Sequence, residues 1–171
     1  IQDLNNRIGS LEASFNSSST ILGKYRELGP LVFPGEQADN SAERIDIKLQ
    51  KIGSHLPDMR KGMWDALTND SADAGRQAII SARELIAQVL GEGAPGFTTR
   101  KEKAKNLMSK YRGSIPEHDL DIIVASCDLI VAEHDKINKL THARSSVKIK
   151  DAKRSVEATE RVLDLLLGSE T

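Results

Sequence analysis

Across 171 residues, 24 Lys and Arg nearly balance 25 Asp and Glu, and a net charge of −1 excludes a uniformly basic nucleic-acid coat, so charge must work by position. A hydrophobic share of 39% with 12 glycines suits a globular domain, and the run of about 20 uncharged apolar residues that a membrane span needs is lacking. Starting at Ile1 without signal features or an initiator Met, the chain is expected to be a soluble, cytoplasmic part of something longer. Ile1, Leu4, Ile8, Leu11 and Phe15, continuing through Leu22 to Tyr25, alternate three and four residues apart, which predicts a long heptad helix over residues 1–25 that serves as a coiled-coil or docking arm. Residues 26–40, with Gly29, Pro30, Pro34 and Gly35, have no period and read as a linker.

A helical bundle is expected over residues 41–171. Ser41 is a good N-cap for a series through Ile45, Leu49, Ile52 and Leu56 that Pro57 interrupts, predicting a break near Gly53 to Leu56 and a new helix carrying Trp64. Asn69, Asp70 or Ser71 can cap a third unit whose stripe runs from Ala74 to Leu90 before Gly91 and Gly93. Thr98 or Thr99 with Glu102 resembles a capping box, opening a short helix that Gly113 closes. The longest apolar run, Leu120 to Leu140, predicts the central, most buried helix, and after a turn around Arg144 to Ser146 a final helix ends at Gly168. Strict alternation is absent and aromatic residues are 4%, so the fold class is all-α.

The charges are segmented. Arg100 to Gly113 carries six basic residues against Glu102 alone, residues 114–135 carry six acidic residues and no Lys or Arg, and Lys136 to Arg154 carries seven basic residues against Asp151. One account is that neighbouring helices present opposite charges to each other, which adds little per pair and mostly fixes packing order. The other is that the basic segments converge on phosphate, with Arg100, Lys101, Lys103, Lys139, Arg144 and Lys148 as nucleic-acid contacts.

Placing the long helix at about 100° per residue from Leu120 puts Val124, Cys127, Val131, His134, Asn138 and His142 within about 40° of one line. That stripe changes from apolar to polar over its last turns, so His134, Asn138 and His142 either find hydrogen-bond partners where the helix leaves the core, open into a cleft, or face another subunit. A metal site is not expected there, because His134 and His142 lie about 12 Å apart along the axis and Asn is a poor zinc ligand. Cys127, the single cysteine, excludes an internal disulfide framework and a Cys-based zinc cluster, and its apolar neighbours mark it as a core residue. There is no nucleophile elbow, phosphate-binding Gly-rich loop or dinucleotide fingerprint, so no cofactor is expected. His55 and His118 sit beside helix starts and read as surface residues.

Leu-Pro-Asp-Met-Arg-Lys-Gly-Met-Trp-Asp-Ala-Leu (56–67), Arg76-Gln77-Ala78, Ser81-Ala82-Arg83-Glu84-Leu85, Ala94-Pro95-Gly96 and Thr99-Arg100-Lys101-Glu102 together resemble the helical domain of bacterial predicted nucleases linked to prokaryotic PIWI-like defence systems, over about Ser54 to Leu167. That domain is similar in outline to the HEPN class, helical dimers that cut RNA in phage defence and carry an Arg four to six residues before a His. The resemblance implies a homodimer, RNA or DNA as a partner, other domains of a longer parent protein, no membrane, and His142 as the hallmark His with Asn138 as its polar companion. The hallmark Arg is missing: Ile137 stands nearby, and Lys136, the nearest basic residue, cannot make the bidentate phosphate contact. For metal-independent cleavage His142 and His134 would be acid and base, with Lys136, Lys139 or Arg144 as the cation. The alternative is a non-catalytic module in which the first helix dimerises or docks a partner and His142 is structural.

Overall fold

The computed structural model describes residues 35–69, 71–139 and 147–168, with side chains of the first helix described from Ala42 onward. The expected heptad helix at 1–25, most of the linker, and residues 140–146, with His142 and Arg144, lie outside the described residues. Within them the chain is an all-α bundle of six helices: α1 Gly35–Ile52, α2 Leu56–Thr68, α3 Ala74–Gly93, α4 Arg100–Arg112, α5 Glu117–Lys139 and α6 Ile149–Leu167. None of these residues is in a strand, and no helix among them is long and apolar enough to cross a membrane.

Local sequence accounts for most of the helix ends. α1 begins at Gly35, ahead of the expected Ser41 cap, since Pro34 and Gly35 are tolerated at a helix start although they read as breakers. It stops at Ile52, a short turn follows, and Pro57 sits in the first turn of α2, where its missing N–H costs nothing. Asp73, rather than an earlier residue, precedes α3, and its side chain makes no capping bond. The capping box of α4 is formed: Glu102 N donates to Thr99 Oγ1 at 3.2 Å, and Thr99 N donates to Glu102 Oε2 at 3.0 Å. Gly113 ends α4 at φ 70°, a left-handed conformation suited to glycine.

α2 and α3 form an antiparallel hairpin, and α6 packs against every other helix. So does α3, and the two share the centre, which corrects the expectation for α5: ten of the 20 residues of α3 and ten of the 19 of α6 are buried, against nine of 23 in α5. The reason is side-chain size and charge placement. Small Ala152, Ser155, Ala158 and Thr159 let neighbours approach α6 beside its Val156, Val162, Leu163, Leu166 and Leu167, while α5 gives a whole face to Asp121, Asp128, Asp135 and Lys136. Lys48 of α1 donates to the carbonyls of Leu167 and, at 3.0 Å, Gly168, satisfying the open end of α6.

Candidate nucleic-acid interface at the α5–α6 end

The core side of α5 is set by Leu120, Ile123, Cys127, Ile130 and Ile137, spaced three, four, three and seven apart, with Ser126 and Glu133 beside them. The predicted stripe is thus rotated to the edge of the buried arc: Val124 and Val131 are half-buried and Asn138 is exposed. His134 keeps a shielded position, with 14% of its side chain accessible. Asn138 Nδ2 lies 3.3 Å from His134 Nδ1, and Asp135 approaches the same nitrogen at 3.7 Å. When Asn138 donates to Nδ1, the neutral ring carries its proton on Nε2. Of the expected acid, base and companion, the structure therefore brings His134 and Asn138 together.

Lys136 points away from this pair, toward α6. Its Nζ lies 3.8 Å from Glu133 and 3.7 Å from Asp151, while Arg154 Nη1 lies 3.7 Å from Asp151 and 4.0 Å from Glu133. Glu133 has only 7% of its side chain accessible. Burial pushes its carboxyl pKa above the ordinary range, the nearby Asp151 adds to this, and Lys136 and Arg154 offset part of it. Glu133, Asp151 and Arg154 were not singled out from sequence as site residues. The signal was present in the isoleucines at 123, 130 and 137, which fix the rotation of α5 and so place position 133 inside. Lys139 and Lys148 are exposed beside this cluster in sequence, together with Lys150.

The basic helix α4 behaves differently. Arg100 pairs with Asp128 at 2.6 Å, Lys101 with Glu117 at 2.8 Å, and Arg112 with Asp119 at 2.8 Å while also donating to Leu165 O at 3.0 Å. The Lys101 ammonium holds the Glu117 carboxyl below its usual range. Lys103 is partly buried on the same helix. Along α4 and α5, then, the opposite charges face each other, and Arg100 and Lys101 are engaged by carboxylates.

His118 is exposed. His55 bridges the α2–α3 hairpin, its Nε2 lying 2.5 Å from Gln88 Oε1 and 3.5 Å from Glu92. A shallow cleft of about 380 Å³ lies further along the hairpin, lined by Gly62, Asp65, Asn69, Gln77 and Ile80 among others. Among the described residues no group of three or more His, Cys, Asp or Glu is arranged to hold a metal ion.

These features define an all-α bundle with a polar, cation-rich end. A family model described as predicted pPIWI-associating nuclease matches residues 49–96, which run from the end of α1 through α2 and α3. The match spans four of the five segments that carry the resemblance, leaving Thr99 to Glu102 outside it. No curated protein and no solved structure matches the chain.

Proposed function

We propose that this chain is the helical part of a nuclease that works with prokaryotic PIWI-like proteins, and that it contacts RNA at the α5–α6 end. The observation that carries this reading is the match of residues 49–96 to the predicted pPIWI-associating nuclease family. What supports the location is the shielded His134 ring beside Asn138, with Lys139 exposed at the end of α5 and Lys148 and Lys150 exposed at the start of α6. In cleavage, His134 and His142 exchange the protons of the attacking 2′-hydroxyl and the leaving oxygen, Asn138 orients the His134 ring, and cations at this end stabilise the phosphorane. Two chains meeting through the N-terminal heptad helix would present two such ends, in keeping with the dimeric habit of the HEPN class.

A second reading is favoured by the pairing of Arg100, Lys101 and Arg112 with α5 carboxylates. There the charge pattern serves packing, and the chain is a non-catalytic interaction module of its parent protein. Incubating the chain with single-stranded RNA, with and without EDTA, separates the two. The first reading predicts EDTA-resistant cleavage that is lost in His142→Ala and reduced at least tenfold in His134→Ala. Salt-sensitive RNA binding without cleavage keeps the contact but removes the chemistry, and absence of both leaves the interaction module.

A further inference from the structure

Salt-bridge distances divide the described cations. Arg60, Arg100, Lys101 and Arg112 each stand 2.6–3.0 Å from their carboxylates, within hydrogen-bond range. Lys136 and Arg154 stand 3.7–4.0 Å from theirs, as the exposed Lys153 does from Glu157 at 3.9 Å within α6. Lys136 and Arg154 come from different helices, yet they share the same two carboxylates, Glu133 and Asp151, so their heads converge on one place. Arg154 is 20% accessible, and among the described residues its guanidinium, with five donors, meets Glu133 and Asp151 at 4.0 and 3.7 Å, beyond hydrogen-bond range.

Such a cation pair is poorly satisfied by the carboxylates it has and well suited to a phosphate. Arg offers a planar fork that donates two parallel hydrogen bonds at about 2.7–2.9 Å, and Lys adds a mobile point charge from the other side. We infer that Lys136 and Arg154 form a two-cation seat for a backbone phosphate of bound RNA, held open by Glu133 and Asp151 until the phosphate enters. The inference rests on the RNA-contact reading above and adds to it the guanidinium that helix α5 itself lacks, supplied from α6. Glu133 competes with a phosphate for the same two cations, and its burial makes that competing charge costly to hold. Lys139 at the end of α5, Lys148 at the N-cap of α6 and Lys150 in its first turn are exposed as well.

Fluorescence anisotropy with a fluorescein-labelled 20-nucleotide single-stranded RNA, titrated at several salt concentrations, tests the inference on the full chain. Arg154→Gln is expected to weaken binding about tenfold at low salt and to reduce the slope of log K against log salt by about one. Glu133→Gln, which removes a competing charge without changing shape, is expected to tighten binding about threefold. Lys61→Gln on the exposed face of α2 should leave affinity unchanged. A melting curve for each variant reports its folding, and if Arg154→Gln unfolds, Glu133→Gln decides alone. Wild-type affinity and slope in a folded Arg154→Gln protein, or no gain in Glu133→Gln, overturns the seat while leaving RNA contact intact. Failure of the wild-type chain to bind the RNA overturns the RNA reading itself.

Discussion

Glu160 of α6 is 3% accessible and accepts hydrogen bonds from Arg60 Nε at 2.9 Å, Arg60 Nη2 at 2.8 Å and Trp64 Nε1 at 2.8 Å. Burial opposes the charge on Arg60, but the hydrogen bonds and charge of Glu160, helped by Asp46, outweigh it and keep the guanidinium pKa above its usual value. Glu160→Ala would strand a buried guanidinium and an indole N–H, so chemical denaturation should show a loss of about 3–5 kcal/mol. Asp46→Asn, at a site 41% accessible, should cost only about 0–1 kcal/mol. Glu133 makes the opposite case. Its folded pKa is raised, so the folded state holds that proton more tightly than the unfolded chain, and stability falls as pH rises through the ordinary carboxylate range toward the raised value. Lys136, Asp151 and Arg154 are the charged groups facing it. Glu133→Gln should therefore melt at a temperature equal to or above wild type at pH 7, with the difference shrinking below pH 4. A variant that melts well below wild type at pH 7 would show the carboxylate to be stabilising. Cys127, with its thiol pushed up to about 12 by burial, should resist thiol reagents at pH 8 in the folded protein and react fully in denaturant.

Helix ends and helix rotations differed in how far sequence revealed them. The α2 start at Pro57, the Thr99–Glu102 box and the Gly113 stop were legible because each depends on residues within one turn. The rotation of α5 was not, because two lines of apolar residues run along it and only packing against α6 selects the one through Ile123, Ile130 and Ile137. His134 borders both lines and so is shielded under either rotation, whereas the approach of Arg154 to Glu133 depends on which helices meet. α5 is less central than its apolar run suggests for a related reason: a long apolar run records hydrophobicity, but small buried residues such as Ala158 and Thr159 of α6 decide how closely neighbours pack. Two glycines test the local account. Gly113→Ala forces a left-handed residue and should cost about 1 kcal/mol, while Gly62→Ala, in mid-helix with open space where a Cβ would go, should gain about 0.5–1 kcal/mol in thermal or urea unfolding.

At the scale of the whole chain, the basic, acidic, basic pattern resolves into two behaviours. α4 meets α5 through close ion pairs, whereas the second basic segment meets α5 through long ones and leaves Lys139, Lys148 and Lys150 exposed. The segment matched to the nuclease family is not self-sufficient: Arg60 and Trp64 lie within it, and their carboxylate partner Glu160 lies outside it on α6. A chain truncated after Gly113 should therefore fail to give a cooperative melting transition. Photo-crosslinking a 4-thiouridine-substituted single-stranded RNA to the full chain, followed by peptide mapping, tests most directly whether RNA is met at the α5–α6 end. Crosslinks concentrated between residues 134 and 154 are the predicted result. Crosslinks confined to α2 and α3, or none at all, would contradict it.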